Sequence, residues 1–197
     1  MPTPKIIALF ALAPLVFAAD IPNSETLQRL QAAYSYETNS FERYRAFAEK
    51  ADAEGYPGMA TLFRATSRAA QIHYTNCIDA IRELGYAPEA TVESPVVEST
   101  KDNLQAAIKK TAAFDRDNLY PLYIKRAKAE GNQRAAKAFD SMLQAEAQNL
   151  GLFRAALKNL DQMRRAGPGY YVCAATGYVT ATMDPAHCMG SDWELEK

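Results

Sequence analysis

Residues 30–65 read LQAAYSYETNSFERYRAFAEKADAEGYPGMATLFRA, and the opening of this stretch returns later in the chain. Leu30-Gln31-Ala32-Ala33-Tyr34 is matched by Leu104-Gln105-Ala106-Ala107-Ile108, and Glu54-Gly55 by Glu130-Gly131. Around the first copy, Leu27, Leu30, Tyr34, position 37, Phe41, Tyr44, Ala48 and Ala51 recur in steps of three and four, which mark one face of a helix. Ser24 can cap its start and Gly55 stop it. A second helix is expected from Pro57 to Leu84, with Met59, Leu62, Thr66, Ala70, His73, Cys77 and Ile81 on its inner face. The repeat then predicts a second pair: Ser99–Glu130, kinked where Pro121 removes a backbone donor, and Gln133–Arg164. Leu104, Ile108, Thr111, Phe114, Asn118 and Leu122 make the stripe of the third helix. Phe139, Met142, Glu146, Asn149, Phe153 and Leu157 make much of the fourth. A duplicated helix hairpin packs as an all-α four-helix bundle.

The ends of the chain read differently. Lys5 precedes an apolar run from Ile6 to Phe17, and Val16-Phe17-Ala18-Ala19 offers small residues for cleavage. This is the pattern of a signal peptide over residues 1–19, and the run is shorter than the roughly 20 residues of a membrane span. An uncleaved anchor is the alternative. The expected mature protein is exported, periplasmic or extracellular, with no stable membrane insertion. Residues 20–165 form the bundle. After Gly167-Pro168-Gly169 comes a tail, residues 166–197, too small to hold a core without a staple. Of 197 residues, 22 are Lys or Arg and 23 Asp or Glu, so nothing favours a nucleic-acid partner. In an oxidising compartment the thiols of Cys77, Cys173 and Cys188 tend to pair, leaving one over.

Glu37, His73, Glu146 and Asn149 interrupt the apolar stripes. A buried carboxylate needs a partner. Di-iron bundles supply one by placing a Glu on each of two helices and Glu-x-x-His on each of the other two. On this repeat the scheme demands acids at 37 and 111 and Glu/His pairs at 70/73 and 146/149. Glu37, His73 and Glu146 satisfy it; Ala70, Thr111 and Asn149 do not.

The stretch quoted above, NLQAAI at 103–108, Tyr120-Pro121 and KAEGNQRAAKAF at 128–139 resemble the ferritin-like domain of rubrerythrins. The tail Tyr170-Tyr171-Val172-Cys173-Ala174-Ala175-Thr176-Gly177-Tyr178 resembles the rubredoxin-like segment of that family. The resemblance implies a di-iron centre that reduces hydrogen peroxide and a four-cysteine iron site that feeds it electrons. It carries Glu37, His73 and Glu146 over as ligands. It also expects carboxylates at 70, 111 and 114 and His at 149, where this chain has Ala70, Thr111, Phe114 and Asn149. In the tail, Cys173 faces Thr176 and Cys188 faces Ser191 where the family has cysteine pairs, and two thiolates cannot hold such a centre. The surviving cysteines lie close together in the family fold, which implies a Cys173–Cys188 disulfide.

The expected function is therefore an exported, non-redox scaffold, binding or self-assembling protein with no cofactor. Its polar cluster would be hydrogen-bonded, with Thr111 and Asn149 satisfying spare lone pairs. One alternative is a single transition-metal ion, Fe, Mn or Zn, on Glu37, His73 and Glu146, which in the family arrangement sit mostly around one iron. Another is a residual peroxide reductase. The resemblance also implies a homo-oligomer. Cys77 is expected as a small buried residue, His187 as an exposed tail histidine, and Tyr34, Tyr44, Tyr74, Tyr120 and Tyr123 as packing groups.

Overall fold

The structure is a computed structural model that describes residues 24–116, 119–188 and 192–197, without the side chains of residues 114–116. The signal segment expected at 1–19, Asn118, Ser191 and the Phe114 side chain lie outside the described residues.

Helix α1 spans Glu25–Ala53 and α2 Pro57–Glu83. Ser24 caps α1, its Oγ accepting from the Leu27 amide at 3.2 Å, and Pro57 opens α2 where a missing N–H has no helical partner to lose. The third arm, expected as one kinked helix, comprises α3 (Thr100–Arg116) and α4 (Leu119–Ala129), and residues 117 and 118 between them lie outside the described residues. Pro121 lies within α4. Leu122, assigned to the core stripe, is instead 53% exposed. Helix α5 runs Gln133–Lys158, capped by Asn132, and the expected continuation to Arg164 tightens into a 3-10 turn, Leu160–Arg164.

Helix α1 lies along α2, and α5 packs against α2, α3 and α4. The duplication has a physical signature at the hairpin ends. Gly55 and Gly131 both adopt φ +75°, the left-handed conformation that ends a helix. The preceding acids then cross over. Glu54 Oε2 accepts the Thr100 amide at the start of α3 (2.8 Å), and Glu130 Oε2 accepts Ser24 Oγ (2.8 Å) and the Thr26 amide (3.3 Å) at the start of α1. Each hairpin thus caps the other with a negative charge at a helix N-terminus. Residues 86–98 form a strap along α1. The Gln31, Ser35 and Asn39 side chains, one helical turn apart, bond its backbone at residues 87, 89, 91 and 93.

Two apolar clusters fill the bundle. One joins Leu30, Cys77, Ile81, Tyr120, Phe139 and Met142; the other joins Tyr44, Phe47, Leu62, Phe63, Leu104 and Phe153. Along α1, α2 and α5 alike, Glu37, His73 and Glu146 fall between the two.

The all-α expectation is corrected in the tail. Strands β1 (Tyr170–Cys173), β2 (Val179–Thr180) and β3 (Trp193–Glu196) form an antiparallel sheet in the order β2-β1-β3. Val172 and Val179 are fully buried against Ala65, Ala69 and Ile72 of α2, so the tail borrows its core from the bundle. A disulfide joins Cys173 to Cys188, with Cα atoms 5.5 Å apart. Arg68 clamps Glu194 with two hydrogen bonds, Nε at 2.6 Å and Nη2 at 2.8 Å.

Candidate metal centre

The helical register sets three functional side chains at one level. Glu37 follows Leu30 by two turns and precedes Tyr44 by two, so it shares their inward face. His73 and Glu146 hold the same relation to the apolar residues of α2 and α5. The structure brings all three together: one ligand atom from each lies within 4.8 Å of the others. Glu37 and His73 are fully buried and Glu146 is 7% exposed.

His73 is held from both sides. Its Nε2 lies 3.0 Å from the backbone carbonyl of Thr176, and its Nδ1 lies 3.4 Å from Glu37 Oε1 without a well-aligned hydrogen bond. A carbonyl only accepts, so the ring proton belongs on Nε2. The neutral ring then points the Nδ1 lone pair at two carboxylates. Such a set of lone pairs is repulsive until a cation sits among them, a proton or a metal ion.

The electrostatics report this crowding. Burial pushes the Glu146 carboxyl up, to about 7, and Glu37 adds to the rise, while His73, Thr111 and Asn149 hold it back. For His73, burial is the largest influence and lowers the pKa. Glu37, Glu146 and the Thr176 carbonyl together outweigh it, so the net direction is upward. The expected hydrogen-bonded cluster lacks well-aligned bonds, although Thr111 and Asn149 lie near enough to Glu146 to favour its charged form. Both Glu37 oxygens, His73 Nδ1, Glu146 Oε2, Thr111 Oγ1 and Asn149 Oδ1 are buried without a hydrogen-bond partner among the described residues. Orphaned buried acceptors each cost on the order of 1–3 kcal/mol.

The donor set therefore fits one metal ion. Among the described residues it offers no second set. Ala70, one turn from His73, offers no ligand atom, and Thr111 and Asn149 supply neutral oxygens where charged or imidazole ligands would be needed. In the tail, Thr176 Oγ1 donates to the His187 carbonyl, and Cys173 is committed to the disulfide. Cys77 is fully buried in the apolar cluster, its thiol pushed well above the ordinary range by burial and then by Glu37. His187 is only partly exposed, paired with Asp184 at 2.9 Å and stacked on Tyr178. Sequence reasoning missed the backbone of Thr176 and the role of Gly177. A Cβ on Gly177 would come within 2.5 Å of His73 Nε2, so only glycine admits this approach.

Comparison with known proteins gives a consistent picture. The family model described as Rubrerythrin matches residues 28–157. Nigerythrin of Nitratidesulfovibrio vulgaris is 31% identical over 165 residues, 83% of this chain and 80% of that protein. Rubrerythrin-2 of Clostridium acetobutylicum is 28% identical over 171 residues, 85% of this chain and 92% of that protein. The solved structure of nigerythrin in a mixed-valence state superposes with a TM-score of 0.71 at 28% identity, covering 90% of this chain and 92% of that one. A bacterioferritin of Mycobacterium tuberculosis shares the fold, with a TM-score of 0.63 at 16% identity, covering 71% of this chain and 88% of its own.

Proposed function

We propose that this chain, which belongs to the rubrerythrin family, is a mononuclear metal-binding protein that holds one transition-metal ion with Glu37, His73 and Glu146. The observation that carries the reading is the convergence of three buried ligand atoms from three helices within 4.8 Å, with Glu37, His73 Nδ1 and Glu146 Oε2 unsatisfied. Two carboxylates and one imidazole suit Fe, Mn or Zn. Such an ion supplies Lewis acidity and, for iron or manganese, one-electron chemistry. The chain's own part is to exclude water with two apolar layers, to fix the His73 tautomer through the Thr176 carbonyl, and to present the carboxylates from rigid helices.

Peroxide reduction on a metal pair is disfavoured by Ala70, Thr111 and Asn149, and electron delivery through the tail by the disulfide. A non-redox scaffold with no metal is the second reading, supported by the same losses. Export to the periplasm or beyond belongs to the proposal, supported by the N-terminal apolar segment and by a disulfide suited to an oxidising compartment. So does a homo-oligomer without nucleic acid, supported by the family and by the balanced charge.

Elemental analysis of the mature protein, purified without chelator or a metal-binding tag, tests the reading. About one equivalent of metal per chain, lost in Glu37→Ala and His73→Ala, is the expected result. No metal in a folded, disulfide-bonded protein leaves the scaffold reading, and two irons per chain restore the peroxidase.

A further inference from the structure

Arg43 lies on α1, beyond Glu37, and is 7% exposed. A guanidinium cannot shed its charge, so burying it calls for an anion nearby. None is in place among the described residues. Its hydrogen bond is a long contact from Nη1 to Ser40 Oγ at 3.4 Å, and no carboxylate among the described side chains forms an ion pair with it. Arg43 forms part of the wall of a cleft of about 200 Å³ between α1, α3 and the strap, and Lys110 of α3 lines the same cleft. The two cations share this space. Arg43 is the first cause holding the Lys110 ammonium below its ordinary range, ahead of burial, with Glu93 pushing the other way.

We propose that this cleft is a binding site for a small monocarboxylate with a short apolar chain, its carboxylate seated between Arg43 and Lys110. The planar fork of Arg43 matches a carboxylate with two parallel bonds. Phe47, Ala106, Pro95 and Val96 provide an apolar wall for the hydrocarbon. Glu93, Glu98 and Asp102 also line the cleft, on its exposed side. Three rim carboxylates against two cations select against a multiply charged anion such as phosphate. The amides of Asn39 and Asn103 are occupied by the strap backbone, so they shape the cleft without adding charge. The site is separate from the metal ligands and does not depend on them.

The test is a titration of the mature chain with sodium butyrate, and separately with inorganic phosphate, at constant ionic strength. The side-chain amide signals of Asn39 and Asn103 in 1H–15N NMR report on the cleft itself. Butyrate is expected to shift them saturably as a single site and more tightly than phosphate does. Arg43→Gln should abolish the shift, and Lys110→Gln should weaken binding roughly fivefold. Lys110 is exposed, so its variant decides the matter if Arg43→Gln does not fold. No saturable shift with butyrate, or binding unchanged in Lys110→Gln, overturns the proposal. Tighter binding of phosphate overturns the assignment to a carboxylate.

Discussion

His73 Nε2 lies 3.0 Å from the carbonyl oxygen of Thr176, a residue 103 positions away and in a different part of the fold. The contact joins the bundle to the tail at the point where the polar cluster meets the surface loop. Asn76, one turn further along α2, donates to the neighbouring carbonyl of Ala175 at 3.1 Å, so the loop is held twice. A histidine whose outer nitrogen is bound to a carbonyl keeps its inner nitrogen free for a metal.

Gly177→Ala tests this coupling. The new methyl would sit 2.5 Å from His73 Nε2, and the backbone φ of +70° already disfavours any side chain. The loop or the ring must move. Metal affinity, measured by competition with a chelator, is expected to fall by roughly 10–100-fold, the usual effect of losing an outer-shell partner. Unchanged affinity would show that the Thr176 contact plays no part in positioning His73.

The disulfide should matter to the tail. Cys173 and Cys188 are 15 residues apart, and a closure of that size contributes about 3 kcal/mol through loop entropy. Cys173→Ser with Cys188→Ser is expected to lower stability by about that amount in denaturant unfolding. Adding reductant to the wild type should reproduce the loss, whereas the double variant should not respond to it.

Glu37→Gln should act in opposite directions with and without metal. It removes an unpaired buried carboxylate that crowds Glu146, so the metal-free variant is expected to be more stable than wild type, by on the order of 1 kcal/mol. Metal at a hundredfold excess over Kd should stabilise the wild type by about 2.7 kcal/mol and the variant far less. Thermal unfolding of both proteins, with and without manganese, checks the crossing.

Acid should loosen the crossed caps. Thr100 is the first cause lowering the Glu54 carboxyl, to about 2, and Lys50 assists. Glu130 is also lowered: burial opposes the shift, and Thr26, Ser24 and Arg126 outweigh it. A carboxyl whose folded pKa lies below its unfolded value of 4.5 stabilises the fold above pH 4.5. That contribution is lost as pH falls from 4.5 towards 2. Glu54→Gln should therefore be less stable than wild type at neutral pH, and the difference should shrink through this window. Unfolding curves at several pH values measure it.

Much of the bundle was legible because helix periodicity is local. Steps of three and four residues set Glu37, His73 and Glu146 on the inward faces of three helices, and glycine after Glu54 and Glu130 marked the hairpin ends. The failures lie where local rules compete with context. The chain was read as all-α, yet its tail forms a three-stranded sheet packed on α2. Leu122 followed an apolar step on its helix, yet packing leaves it 53% exposed.

What the sequence by itself determined was the duplicated helical frame, the level of the polar residues within it, and which of the ligand positions a metal pair requires are filled. What only the tertiary structure decided was how those residues meet. The 4.8 Å convergence of three ligands, the seating of the Thr176 carbonyl on His73, and the strap that closes over Arg43 all depend on contacts between distant segments. Periodicity assigns a face to each side chain, but distance and solvation come from packing, and these turn three polar interruptions into a candidate metal centre.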